Sequence, residues 1–256
     1  MIIANLATYP PRRAGLRDVI RSIAPQVDRI NVVLNQYEYI PNIEDIPDNV
    51  QFNIPISDLK DTGKFFPRAN NDDYIFLIDD DILYPSDYVQ VTMGWLSKLN
   101  HQKVIVGFHG SIYTSAGNSC STSLDRNVTA DSASDNEELP KRSVMHFSKN
   151  LEREVVVHQL GSGVCAMRAS ELPPFSYMVS SQKFVDIRMA WWACQNDIEQ
   201  ICLPRSKGWL KPIHYPETIY NDFTRKMPMN VVVEVKAICM AYGIGRKENM
   251  INSIKP

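Results

Sequence analysis

Short apolar runs alternate with amphipathic stretches along most of the chain. Ile2 to Leu6 is apolar and is closed by Thr8-Tyr9-Pro10-Pro11, which predicts a strand ending in a loop. Leu16, Val19, Ile20 and Ile23 recur at helical spacing, and Pro25 stops that helix just after Ala24. Ile30 to Leu34 predicts a second strand, Val50 to Ile54 a third and Tyr74 to Ile78 a fourth. Tyr88 to Leu99 reads as a helix and Val104 to Phe108 as another strand. Val155 to Met167 is strand-like around Gly161-Ser162-Gly163, and Phe184 to Cys194 predicts a helix rich in aromatics. A strand beginning at Ile201, a polar segment with Trp209 and His214, and a closing helix near Val231 to Tyr242 complete the pattern.

Strands alternating with helical segments define an α/β class with a central, mostly parallel sheet flanked by helices. In such sheets ligands collect beyond the carboxyl ends of the strands. Thr8-Tyr9, Asn35 and the residues after Ile78 all follow strand ends, so the pattern directs them to one crevice. Ser115 to Asn136 differs, being dominated by Ser, Thr, Asn, Asp and Gly. It reads as a mobile insertion, spanning about 114–140, that cannot form a core of its own.

Composition narrows the classes. The 256 residues, 44% hydrophobic, suffice for one sizeable core, in one large domain or two small ones. A formal charge of −2 argues against a nucleic-acid partner bound by bulk electrostatics. The cysteines are odd in number (Cys120, Cys165, Cys194, Cys202, Cys239) with no C-x-x-C pair, which fits a reducing compartment better than a disulfide or zinc scaffold. The first residues lack a signal-peptide pattern and no run is long enough to span a bilayer. The expected location is cytoplasmic.

The chemistry concentrates at Tyr74-Ile-Phe-Leu-Ile-Asp-Asp-Asp-Ile-Leu83, where a buried strand runs straight into Asp79, Asp80 and Asp81. Adjacent carboxylates at a core edge repel one another and lose solvation. A hard cation, Mn²⁺ or Mg²⁺, relieves both problems and commonly shares its oxygen ligands with phosphates. D-x-D after a strand occurs in haloacid-dehalogenase-type phosphatases, clustered acids occur in response-regulator receivers, and D-x-D also marks nucleotide-sugar transferases of the GT-A fold. The phosphatase motif opens its domain and is followed by Thr or Val where Leu83 stands here, so position favours the transferases.

A longer set of segments resembles one family. Ala7-Thr8-Tyr9-Pro10-Pro11-Arg12, Val27-Asp28-Arg29-Ile30-Asn31, Leu34-Asn35, Lys60-Asp61-Thr62-Gly63-Lys64-Phe65 and Asp79 through Val89 are similar to the bacterial α-N-acetylglucosaminyltransferases of heparosan capsule synthesis. The likeness continues through Val106 to Tyr113, Gln159 to Gly163, Gln182 to Arg188, Ile201 to Arg205, Lys207 to Leu210 and Phe223 to Lys226, in order over nearly the whole chain. The animal exostosin-like α-N-acetylglucosaminyltransferases are a more distant likeness. The resemblance implies a single GT-A glycosyltransferase domain over 1–256, with a nucleotide-binding half at 1–88 and an acceptor half at 89–256.

It also implies roles. Tyr9 and Arg12 would border the uracil and diphosphate of UDP-GlcNAc, Asn35 the ribose, and Asp61 with Lys64 the uridine and phosphate edge. Asp79 and Asp80 would lie by the ribose, with Asp81 the main Mn²⁺ ligand. GT-A enzymes often take a second metal ligand from a late histidine, which makes His214 the candidate here, although the capsule family lacks a histidine at this position. Gly161 would let the backbone approach a sugar, Arg205 and Lys207 would clamp the diphosphate, and Trp209 would stack near a sugar. Asp186 would stabilise the cationic anomeric centre, unless it merely pairs with Arg188. The implied reaction is retaining transfer of N-acetylglucosamine to the glucuronic-acid end of a heparosan-like polysaccharide, with a separate glucuronosyltransferase as partner, in the cytoplasm or peripherally at the inner face of the bacterial inner membrane. The alternatives are a transferase using another UDP-sugar or acceptor in surface-polysaccharide synthesis, and a non-catalytic nucleotide-sugar-binding subunit of a polymerase complex.

Overall fold

The computed structural model describes residues 1–114, 129–130, 140–215 and 228–243. The chain runs β1 (Ile2–Thr8), α1 (Arg13–Ile23), β2 (Arg29–Leu34), β3 (Val50–Asn53), β4 (Tyr74–Ile78), β5 (Ile82–Leu83), α2 (Tyr88–Lys98) and β6 (Val104–Gly107). It continues through β7 (Gly110–Thr114), β8 (Thr129–Ala130), β9 (Lys141–Met145), β10 (Val155–Val156), β11 (Gln159–Leu160) and β12 (Val164–Arg168). The last described elements are α3 (Phe175–Met178), α4 (Val185–Gln195), β13 (Glu199–Cys202), β14 (Lys211–Pro212) and α5 (Met229–Gly243).

The main sheet has eight strands in the order β10-β13-β6-β12-β4-β1-β2-β3. β3, β2, β1 and β4 are mutually parallel, and β6 and β13 run the same way. Only β12 and β10 are reversed in this sheet, so it is mostly parallel. Side chains alternate between two apolar layers, as a pleated strand requires. Ala4, Leu6, Phe76 and Ile78 face α1 and α2 through Leu16, Ile20, Tyr88 and Leu96. Ile3, Ile75 and Leu77 face the other way, toward Val185, Met189 and Ala193 of α4. Covered on both faces, β2, β4 and β6 are almost wholly apolar, which is why their sequences read as continuous runs.

Several boundaries move. β1 reaches Thr8, and α1 starts at Arg13, directly after a 3₁₀ turn at Pro10–Arg12. The stretch from Val155 to Met167 is three strands in two sheets instead of one: β10 joins β13, β11 joins β7, and β12 enters the main sheet beside β4. The chain reverses at Gly161-Ser162-Gly163, and an apolar run broken by so short a turn looks continuous in sequence. A four-stranded antiparallel sheet, β11-β7-β9-β8, and a two-stranded ribbon, β14-β5, complete the structure. The polar insertion expected at about 114–140 lies outside the described residues, apart from Thr114, Thr129, Ala130 and Pro140; Thr129 and Ala130 pair with β9. The Phe223 to Lys226 segment also lies outside them. Among the described residues no helix is long and apolar enough to cross a membrane.

Candidate functional site

Parallel pairing sets the site. With Leu6 opposite Ile78 and Thr8 opposite Leu34, the residues that follow β1, β2 and β4 emerge side by side at one edge of the sheet. There the Thr8 hydroxyl donates to Asp80 Oδ2 at 2.7 Å, and Asn35 N–H donates to the Thr8 carbonyl at 2.9 Å. Two more segments are drawn in from outside the strand order. The 3₁₀ turn Lys60–Phe65 lays Gly63 against Ala7 and Val33, where a Cβ would come within 3.2 Å of Ala7 Cβ and 3.0 Å of Val33 Cγ1. This close approach turns Lys64 inward.

Lys64 is the centre of the arrangement. Its side chain is 4% exposed; its Nζ bonds Asp79 Oδ1 and reaches the Ser162 carbonyl at 3.3 Å and hydroxyl at 3.4 Å. Burial works most strongly against the ammonium, but Asp79, by charge and hydrogen bond, together with the Asp186 and Asp61 charges, holds the Lys64 pKa above its ordinary value. Asp186, in the first turn of α4, accepts the Ser162 N–H at 2.8 Å, a position where the helix amino terminus also favours negative charge. Its pKa is raised by burial, against the Ser162 hydrogen bonds. Arg188 instead pairs with Glu234 of α5 at 2.8 Å, so the Asp186–Arg188 pairing considered from sequence does not form. Asp61 accepts the Lys183 N–H at 2.7 Å, and burial pushes its pKa up to about 6.

The other two acids of the triplet are also under-neutralised. Burial, then the neighbouring Asp81 and Asp79 charges, push Asp80 up to about 7 despite the Thr8 hydrogen bond. Burial and Asp79 push Asp81 up to about 6, with Arg12 and Lys64 opposing. Asp79 and Asp81 nevertheless keep 38% and 37% side-chain exposure, so they are packed round by protein yet partly open to solvent. The Arg12 guanidinium stands 3.6 Å from Asp81 and 4.2 Å over the Tyr215 ring. The strap carrying Tyr215 crosses the triplet: β14 pairs with β5, and Ile213 N–H donates to the Asp81 carbonyl at 2.7 Å. His214 is next along this strap and is exposed.

Two predictions arise here. Removing the Lys64 ammonium leaves Asp79 uncompensated beside Asp186 and Asp61. Lys64→Met is therefore expected to destabilise the fold by about 2 kcal/mol in urea titration, less than for a wholly buried pair because Asp79 reaches solvent. The second concerns pH. An acid whose folded pKa is raised binds its proton more tightly folded than unfolded, so its contribution to stability is present below the unfolded value and lost as pH rises through the folded one. The Asp80 contribution should thus fall between the ordinary value of 3.8 and about 7. Thermal melts of wild type and Asp80→Asn across that window should show the wild-type advantage shrinking with pH.

Other residues singled out from sequence have different places. Arg205 is buried, and its terminal nitrogens donate to the carbonyls of Leu203, Met145 and His146 at 2.9, 2.9 and 2.7 Å. That commits it to tying β9 to the segment after β13 and leaves it no free fork for a diphosphate. Trp209 packs on Phe108 with ring centres 4.9 Å apart and donates from its indole nitrogen to Asp87 at 3.0 Å, so its ring belongs largely to the core. The Asn35 amide staples the next segment, donating to the Lys60 carbonyl at 2.9 Å and accepting from Leu59 N–H at 3.0 Å. Tyr9 is half-buried beside Pro10 and Lys207 is exposed on a turn. Gly161 lies against His109, whose imidazole is held neutral by burial, with a pKa lowered to about 3. Sequence reasoning missed Ser162, Tyr84 and Tyr215; of these, only Ser162 carried a signal, its position between two glycines.

Among the described residues no group of three or more His, Cys, Asp or Glu side chains is arranged to hold a metal. The donor set nevertheless suits a hard cation carried with a substrate: Asp81 is partly open, raised in pKa, and faced by a cation no nearer than 3.6 Å. One or two carboxylates completed by phosphate oxygens is the usual Mg²⁺ arrangement. A depression of about 310 Å³ lined by Met1, Arg29, Arg68, Ala69, Asn70 and Asp73 lies at the opposite, amino-terminal end of the parallel strands. No family model matches the chain, and no curated protein matches it.

Proposed function

We propose that this protein is a metal-dependent glycosyltransferase of the GT-A type that transfers N-acetylglucosamine from UDP-GlcNAc, with retention, to the glucuronic-acid end of a heparosan-like chain. The observation that carries the reading is the acidic triplet at the carboxyl end of a central parallel strand, with Lys64 and Asp186 gathered round it. Strand edge, carboxylates and a buried cation are what a nucleoside diphosphate and its counter-ion need: oxygen donors for the cation and fixed charge nearby. The class is supported by geometry; the donor and acceptor rest on the sequence resemblance.

In this reading Asp81 is the protein ligand of Mn²⁺ or Mg²⁺, with His214 beside it on the strap. The cation would supply neutralisation of the charge that develops on the leaving diphosphate. Arg12, now against Asp81, lies where it can turn to a phosphate oxygen. Tyr9 borders the uracil, Asp80 and Asp79 the ribose, and Asn35 with Asp61 shapes the wall between them. Lys207, exposed on its turn, is the cation left to the phosphates, whereas Arg205 is committed to main-chain carbonyls and Trp209 to packing on Phe108. Asp186 stabilises positive charge at the anomeric carbon while the leaving phosphate accepts the proton of the incoming hydroxyl on the same face of the sugar. Hydrolysis of a panel of UDP-sugars with and without Mn²⁺ tests the assignment. Mn²⁺-dependent release of UDP from UDP-GlcNAc is expected, and a different preferred sugar would redirect the donor assignment. No turnover of any sugar nucleotide would refute the enzymatic reading.

A further inference from the structure

The geometry points to Tyr84 as a positioning residue whose buried hydroxyl clasps the acidic turn to the Gly161–Gly163 turn and so fixes the triplet relative to Asp186. It rests on the proposed function only in taking the triplet as the donor side and Asp186 as the sugar side. Tyr84 follows β5 and its ring is locked in the core, 4.8 Å from Tyr88, with its own N–H 3.3 Å from the Ser22 hydroxyl of α1. From there the phenol oxygen accepts the Asp79 N–H at 2.8 Å and donates to the Gly163 carbonyl at 2.5 Å. Burial keeps the phenol protonated, with a pKa well above its ordinary value, so it can serve as donor and acceptor together.

The two turns so joined hold both ends of the Lys64 contacts. One holds Asp79, paired with Lys64; the other holds Ser162, whose carbonyl and hydroxyl face Lys64 and whose N–H holds Asp186. They meet with no room to spare: a Cβ on Gly163 would sit 1.8 Å from Asp79 Oδ2. Only a glycine lets this turn approach the Asp79 side chain so closely, and among the described residues the Tyr84 hydroxyl alone bridges the two main chains by hydrogen bonds to both. Tyr88 is an internal control, because its hydroxyl is buried in the same aromatic cluster but has no hydrogen-bond partner among the described residues.

The test compares Tyr84→Phe with Tyr88→Phe in the intact protein. Misplacing reacting groups by about 1 Å can cost about 10²-fold in rate, so a smaller shift in Tyr84→Phe should lower kcat with UDP-GlcNAc by about tenfold or more. UDP affinity in Mn²⁺ should stay within about twofold, because binding does not depend on the distance to Asp186. Exchange of the Asp79 amide should accelerate by about tenfold on loss of its acceptor, and Tyr88→Phe should change none of these. If Tyr84→Phe does not fold, slow exchange of the Asp79 amide in both the wild type and Tyr88→Phe supports the clasp, and fast exchange there overturns it. A folded Tyr84→Phe protein with wild-type kcat, or with its Asp79 amide still protected, would overturn the clasp. If the wild type turns over no UDP-sugar, the functional reading fails, and exchange at Asp79 alone decides whether the clasp exists.

Discussion

Replacing Asp81 with alanine is expected to abolish metal-dependent turnover while leaving the fold intact. Asp81 stands at the end of the triplet, partly open and with its ion-pair partner Arg12 3.6 Å away, so the fold loses little when the carboxylate goes. Its raised pKa says the same, since burial and the Asp79 charge disfavour the anion in the free protein. Loss of Asp81 should therefore hold or slightly raise the melting temperature. Rates measured at increasing Mn²⁺ should show no activity at any concentration that saturates the wild type. Full activity of a folded Asp81→Ala protein with Mn²⁺ would remove the triplet from the role assigned to it.

Asp186→Asn should cut kcat by roughly 10²-fold or more, the scale of losing one preorganised electrostatic group. Asparagine keeps the side-chain oxygen that accepts the Ser162 N–H, so the substitution removes charge and preserves shape. UDP affinity should change little, because nucleotide and cation contacts are assigned to other residues. Arg188 provides the comparison: its partner is Glu234, so Arg188→Ala should loosen α4 from α5 and lower stability without the same loss of kcat. Steady-state kinetics beside urea unfolding of the two variants separates these effects. Near-normal kcat in Asp186→Asn would exclude the catalytic assignment.

What was legible in the sequence was what local pattern encodes. β2, β4 and β6 are apolar because both faces of the sheet are covered, and α1 repeats its apolar residues at helical spacing, so both could be read directly. The triplet stood out because carboxylates interrupt such a strand at its end. The parts that escaped depend on contacts far apart in the chain. Lys64 looks like a solvated charge until Asp79 and Ser162 close over it, the latter 98 positions away. Arg205 looks like an anion ligand until three main-chain carbonyls claim it. Tyr84 carries no signal at all, since an aromatic after a strand is ordinarily core, and only its two hydrogen bonds distinguish it. The turn at Gly161–Gly163 was visible as glycines, but its consequence, the transfer of the chain between two sheets, was not.

The central claim is that the triplet crevice binds a nucleoside diphosphate through a shared divalent cation. Calorimetric titration of UDP into the wild-type protein, with Mn²⁺ and then with the metal chelated, tests it most directly. The account predicts one UDP per chain with Mn²⁺, binding weakened by at least about tenfold without it, the equivalent of 1.4 kcal/mol or more. UDP binding of equal strength in the presence and absence of Mn²⁺, or no binding in either, would contradict it.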